Sequence, residues 1–450
     1  MAFVKFPRPR KRHWLHVYRA GEVVRRRLAT TLGAVTLGLV ALFFALTADE
    51  AQHLFSGLLV AAPLAPLLVT PAVYAGLVYV TRRVAPEARG SGIPQVIVAA
   101  RGPDAADRRP LTSLRTAGFK FLLTLVGLAV GASVGREGPT VQISAAIMTA
   151  FHRLFRIELT SAVLIAGGAA GVSAAFNAPL AGVAFAIEEL ASAYEQRLAV
   201  LTMGAVMISG LVSLGLAGDY LYFGAMHHVL SLNAALFACP AAGIVGGLGG
   251  GLFSRGVLLF TESKRSAFRL CRESPVLFAG LCGAVVAVTG VLTSGATWGT
   301  GYDAAKALVE GQAEPLWFGP AKALVTLATT ISGLPGGVFA PSLSAGSGVG
   351  AWLATQFPTQ PAGALVVLGM AGYFAGVVRS PLTAVIIISE MTDARAMIVP
   401  LVATAIIADG VSALVCRERL YHGLARGFRP APPKPQAAAL PRGRAIATPT

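Results

Sequence analysis

Residues 135–139 read Gly-Arg-Glu-Gly-Pro, which sets a guanidinium, Arg136, and a titratable carboxylate, Glu137, between an apolar segment (121–134) and a charge-free run (138–152). A charge near the centre of a bilayer costs roughly 2.5–3.5 kcal/mol on insertion scales, so such residues are paired, line a cavity or carry function. Two further stretches share the pattern: Gly90-Ser91-Gly92-Ile93-Pro94 and Gly337-Val338-Phe339-Ala340-Pro341. Glycine lets backbone approach a ligand, and proline suits the first helical turn, so each stretch is expected to start a helix inside the membrane. A helix N-terminus offers unpaired N–H donors and about half a positive charge, which attracts anions. Converging ends of this kind would hold a small dehydrated anion. A carboxylate beside them could compete for the same place: ionised, Glu137 is itself an anion; protonated, it is released. One group would then exchange a proton for an anion.

That chemistry requires a membrane, and the composition supplies one. Hydrophobic residues make up 55% of the 450 and charged ones 13%, against roughly 25% charged in soluble domains. Long runs free of charge (28–48, 51–81, 159–187, 198–218, 220–254, 274–302 and 323–378) exceed the roughly 20 apolar residues that span a bilayer as a helix. An all-α polytopic membrane protein follows; weak alternation with many alanines and glycines argues against a β-barrel. The net charge of +16 concentrates in a basic lead (1–27) and a basic, proline-rich tail (417–450). Both termini are therefore expected on the cytoplasmic side, with an even number of crossings. No nucleic-acid-binding motif accompanies the charge, so nucleic acid is excluded as a partner. The lead is too long, and the run after it long enough to span, for a cleaved signal peptide. Cys239, Cys271, Cys282 and Cys416 lack metal-site or disulfide spacing and read as small core residues.

The glycine breaks belong to a repeat. The interval from Pro139 to Pro341, 202 residues, also connects Lys120 with Lys322, Gly135 with Gly337, Pro179-Leu180 with Pro381-Leu382, and Glu188 with Glu390. Two homologous membrane halves, 28–218 and 229–416, are expected, with the tail disordered. Repeats with matched glycine- and proline-broken helices are a signature of secondary transporters, whose sites lie where broken helices meet. Breaks are expected at Asn177-Ala178-Pro179 and at Arg379-Ser380-Pro381. The short apolar piece 96–100 between two basic loops reads as a re-entrant helix with Ser91 near its tip.

Together, Gly90 to Pro94, Gly135 to Pro139, Gly337 to Pro341 and the central stretch Gly167 to Glu189 resemble the signature motifs of the CLC family of chloride channels and chloride/proton antiporters, in the family's order and over nearly the whole membrane part. The resemblance implies two inverted-topology repeats of tilted, broken and re-entrant helices. It also implies a homodimer in a bacterial inner membrane, surrounded by lipid, with one path per subunit and no cofactor beyond chloride and protons as cargo. By position, Ser91 and Tyr421 would contact the anion through hydroxyls, with the amides of Val338 and Phe339 beside Gly135 and Gly337. Glu137 would be the gating glutamate and Glu189 the inner proton-transfer glutamate. Ser91, rather than proline or methionine, points within the family to chloride. Gln95 stands where many relatives have glutamate, which concerns structure, and Asp409, inside the last apolar segment, has no assigned role.

Two other readings compete. An intramembrane serine protease would use Ser133 of Gly131-Ala132-Ser133, but such a nucleophile needs a base within reach. The seven histidines fall at segment ends or loops and there is no HExxH motif, so no enzyme is expected. The second reading is a passive anion channel of the same fold. Glu189 favours coupled antiport.

Overall fold

The computed structural model describes residues 11–101, 110–191, 196–218, 220–226, 228–262 and 266–429. Among these there are eighteen helices and no strand. The first half runs α1 (Lys11–Ala61), α2 (Pro66–Val84), α3 (Ile93–Arg101), α4 (Leu114–Leu128), α5 (Glu137–Leu154), α6 (Ser161–Phe176), α7 (Pro179–Phe185) and α8 (Gln196–Ala217). The second runs α9 (Leu232–Glu262), α10 (Ser266–Glu273), α11 (Pro275–Leu292), α12 (Tyr302–Val309), α13 (Phe318–Ser332), α14 (Phe339–Gln356), α15 (Ala362–Val378), α16 (Pro381–Thr392) and α17 (Ile398–Val415), before a closing α18 (Leu420–Ala425). Five helices hold apolar stretches long enough to cross a membrane, in α1, α8, α9, α11 and α17. The rest are shorter pieces. α3, with nine residues, reaches only about 14 Å, half the hydrocarbon thickness.

The halves are inverted-topology repeats, and their relation is written in hydrogen bonds. α5 and α14 are both eighteen residues long, and the glycines just before them bond to each other in both directions: Gly135 N to Gly337 O at 2.7 Å and Gly337 N to Gly135 O at 2.8 Å. α6 and α15 end at equivalent left-handed residues, Asn177 (φ 53°) and Arg379 (φ 60°), after which Pro179 and Pro381 start α7 and α16. Each new helix is capped by the other half. The Glu390 carboxylate accepts from Leu180 N (3.2 Å) and Ala181 N (2.8 Å), and the Glu188 carboxylate from Leu382 N (3.2 Å) and Thr383 N (2.8 Å). Acidic groups belong at helix N-termini, whose first amides have no intrahelical acceptor. Asp409 is likewise structural. It pairs with Arg379 at 3.0 Å and so neutralises the cation that ends α15.

Close packing depends on absent side chains. Without a hydrophobic drive between helices in lipid, association relies on backbone approach at small residues. Along α9, α14 and α15, a Cβ on Gly369 would lie 2.2 Å from Gly350 N, and one on Gly246 2.4 Å from the Gly372 carbonyl carbon.

Two segments differ from expectation. Asp49 and Glu50 do not separate two spans: α1 runs through both, because no helix-breaking residue intervenes before Pro63. The stretch after Cys416 is not wholly tail either, since α18 and a 3₁₀ turn, Arg426–Phe428, are ordered. Leu420, Tyr421 and Ala425 are buried, and Arg426 pairs with Glu262 (3.2 Å) and Glu418 (2.5 Å). Residues 430–450 and the first ten of the basic lead lie outside the described residues.

Candidate functional site

Glu137 is the first residue of α5 and fully buried. One carboxylate oxygen accepts a hydrogen bond from Tyr302 Oη at 2.5 Å, and the other faces Ala340 N, in the first turn of α14, at 3.4 Å. The carboxylate therefore sits where an anion would, at the N-terminus of a helix from the opposite half. Gly135 makes the room, because a Cβ there would come within 2.2 Å of Glu137 Oε2. Val338 caps α14 and Phe339 opens it, so their amides are among the donors that have no intrahelical acceptor. The Phe339 ring lies against Phe176, Phe185, Phe374 and Tyr421, with centroids 5.0–5.9 Å away.

Next to this apolar wall are two buried hydroxyls, Ser91 Oγ and Tyr421 Oη, which face each other without forming a well-aligned hydrogen bond and have no other partner. Buried polar groups are nearly always satisfied, so a pair without partners marks a place for a ligand. Ser91 is held by two glycines at positive φ, Gly90 (63°) and Gly92 (106°). The buried ammonium of Lys120 clamps the carbonyls of Gly90 (2.7 Å) and Arg89 (3.4 Å), and Gln95 Nε2 binds those of Arg89 (2.7 Å) and Glu87 (3.0 Å). With the loop's carbonyls fixed by cationic and amide donors, the Ser91 hydroxyl is left facing Gly138 of α5, where a Cβ would lie 2.4 Å from Ser91 Oγ.

The second half carries an equivalent loop. Gly299-Thr300-Gly301 also has both glycines at positive φ (62° and 80°), and Lys322 Nζ clamps its Gly299 carbonyl at 2.8 Å. The interval is 209 residues (90 to 299), seven more than 202, since the stretch from this loop to its lysine is 23 residues (299 to 322) against 30 in the first half (90 to 120). A search at the single interval of 202 residues therefore misses it. Here the equivalent of Ser91 is occupied: Gln52 Oε1 accepts from Thr300 N at 2.6 Å. The loop instead presents Tyr302, the latch on Glu137.

Arg136 does not pair with its neighbour. It is buried and reaches Asp49 Oδ1 (2.6 Å) and Ala45 O (2.7 Å) on α1, stacked over the rings of Tyr222 (5.1 Å) and Tyr302 (5.5 Å). The guanidinium thus positions the Tyr302 ring and leaves the Glu137 carboxylate to its own donors. Aromatic faces favour a cation in such geometry.

Cavities approach this point from two sides. One, of about 870 Å³, includes Tyr302 and Tyr222; three carboxylates, Asp49, Asp303 and Glu314, lie on it without a lysine or arginine. The other, of about 760 Å³, includes Ser91 and Val338; it has four arginines, Arg82, Arg89, Arg272 and Arg426, against one carboxylate, Glu262. Glu137 lies between Tyr302 of the first and Val338 and Ser91 of the second.

Residues 72–413 match the family described as voltage gated chloride channel. The chain belongs to the CLC family. It is similar in fold to a slow cyanobacterial Cl⁻/H⁺ antiporter (24% identity, TM-score 0.75, covering 90% of this chain and 98% of that one). A CLC-type fluoride/proton antiporter (22%, 0.73, 88% and 96%) and a eukaryotic CLC transporter (24%, 0.72, 90% and 74%) have the same architecture.

Among the residues read from sequence, Gly135, Gly337, Glu137, Val338, Phe339, Ser91 and Tyr421 converge on this one region. Glu189 stands apart from Glu137 but beside α18. It is fully buried in a π-helical turn, Ala186–Leu190, with Oε2 accepting from Ser380 Oγ (2.9 Å) and Oε1 3.3 Å from His422 Nδ1. π-turns often mark functional positions, and this one separates neighbouring acids: Glu188 turns outward to cap α16 and Glu189 turns inward. Ser133, the alternative nucleophile, is buried with its hydroxyl bonded to Thr326 Oγ1 at 2.8 Å, across to α13. Tyr302, Asp49, Gln52 and His422 had no motif around them in the sequence.

Proposed function

We propose that this chain exchanges chloride for protons across a membrane. The supporting observation is the Glu137 carboxylate between Tyr302 Oη and Ala340 N, at a helix N-terminus with two unpartnered hydroxyls alongside. Ionised, the carboxylate holds the anion's place. Protonated, it loses the attraction of the helix end and swings out, and chloride enters between Ser91, Tyr421 and the amides of Val338 and Phe339. Glu189 is the second proton-handling group, since a buried acid with one oxygen unbonded is poised to take and give a proton. The arginine-rich cavity opens to the cytoplasm, in keeping with the excess of basic residues expected on that side, and concentrates anions there. Both termini share that side in a bacterial inner membrane, and two subunits with independent paths form the working homodimer.

In proteoliposomes, an imposed chloride gradient is expected to drive protons uphill. Chloride flux without proton movement at any pH would replace this reading by a passive channel, which the same anion path would serve. Glu137→Ala is expected to keep chloride flux and lose coupling.

A further inference from the structure

We infer that His422 delivers protons from solvent to Glu189, with Arg101 controlling access to the imidazole. The inference rests on Glu189 as the inner proton-handling group. His422 follows Tyr421 on α18, and its partly exposed ring joins the surface to a buried acid. Nδ1 lies 3.3 Å from Glu189 Oε1, and Nε2 lies 2.8 Å from Nη2 of Arg101, the exposed last residue of α3. A guanidinium has donors and no acceptor, so Nε2 must present its lone pair. The ring proton is then on Nδ1, which lies 3.3 Å from the glutamate oxygen without completing a hydrogen bond.

Other charges nearby are already engaged. Glu188 caps α16, and Arg419 reaches the Glu188 carbonyl at 3.5 Å. From α9, Glu262 binds Arg426, which also holds Glu418, and at the end of α15 Arg379 binds Asp409. Among the described residues, His422 is thus the titratable group in contact with both Glu189 and the surface. Imidazole is the side chain suited to proton exchange near neutral pH, and His–Glu chains are a recurrent way of moving protons within membranes.

The transfer balances as follows. Arg101 swings into solvent, and Nε2 takes a proton from water. The imidazolium passes its Nδ1 proton to Glu189 Oε1, leaving a carboxylic acid and the Nε2–H tautomer. Rotation of the ring about Cβ–Cγ then brings Nδ1 out to water, where gain of a proton at Nδ1 and loss of one from Nε2 restore the first tautomer. While Arg101 stays on Nε2, protonation there would set two cations 2.8 Å apart, so the resting contact holds the relay shut.

The test compares His422→Ala, His422→Gln, Arg101→Gln and Glu189→Gln in proteoliposomes, reading chloride efflux and chloride-driven proton movement together over a range of internal pH. Both His422 variants should lower proton flux relative to chloride flux at least about tenfold, and free imidazole should restore it in His422→Ala. Arg101→Gln, which leaves Nε2 open to water, should raise proton flux relative to chloride flux. Glu189→Gln should be uncoupled. Wild-type coupling and pH profile in both His422 variants, while Glu189→Gln is uncoupled, would overturn the inference. Intact coupling in Glu189→Gln would instead overturn the reading of Glu189 on which it stands.

Discussion

Tyr302→Phe removes one hydroxyl and leaves the ring that packs on Tyr222, Phe223 and Arg136. The lost bond is the 2.5 Å donation to the Glu137 carboxylate, which exists only while the carboxylate occupies the path. A hydrogen bond to a charged group contributes about 1.5–3 kcal/mol when buried. Since water in the cavity of about 870 Å³ can replace part of it, the lower half of that range is the better guide. About 1.5–2 kcal/mol moves the balance between the engaged and displaced carboxylate by roughly ten- to thirtyfold. Chloride turnover per protein at neutral pH, measured by efflux from proteoliposomes, should rise by that factor, up to the ceiling set by Glu137→Ala. Proton coupling should weaken in parallel, because an open path leaks chloride. Turnover at or below wild type in Tyr302→Phe, beside a faster Glu137→Ala, would refute the latch.

Two further substitutions probe the same frame. Gly135→Ala places a Cβ where Glu137 Oε2 now lies; a flexible carboxylate can move away cheaply, so the variant should fold, conduct chloride and couple poorly, as read by the same efflux assay. Glu390→Gln and Glu188→Gln each weaken a cap between the halves, and should cost about 1–2 kcal/mol, with Glu188→Gln the larger because its carboxylate also accepts from Thr383 Oγ1 at 2.8 Å; thermal unfolding in detergent gives the comparison, and equal melting temperatures for both variants and wild type would contradict the capping role.

The helix starts of the candidate site were legible in the sequence because their geometry comes from backbone. Glycines, prolines and a lone carboxylate at fixed intervals specify helix starts, and helix starts carry the electrostatics. Residues that act through side chains from distant elements were not legible. Asp49 falls between the charge-free runs 28–48 and 51–81, yet it lies within α1 and neutralises Arg136 across a separation of 87 residues. Tyr302 opens a short helix whose repeat partner begins at Ile93, and nothing local reveals that its hydroxyl meets Glu137. His422 looked like one more histidine at a segment end. Its meaning depends on α18 folding back onto α3 and the π-turn, in a stretch whose proline- and arginine-rich continuation suggested disorder.

A two-fold repeat would by itself build two equivalent anion-binding loops, and transport with a gate needs them to differ. The difference arises from single residues on matched backbones. At the loop before α3, Ser91 keeps a free hydroxyl; at the loop before α12, Gln52 occupies Thr300 and Tyr302 turns to the opposite half. At the helix starts, Val338 and Phe339 supply amides and an apolar wall, whereas Arg136 and Glu137 supply charge. Each member of a pair keeps the backbone that attracts an anion, and only one side adds a group able to compete for it. The carboxylate of the first half then has its donors in the second, Ala340 N and Tyr302 Oη. Under the proposed exchange, displacing Glu137 would break its contacts with the second half and leave the Gly135–Gly337 bridge intact, so the carboxylate could move while the repeat interface stays closed.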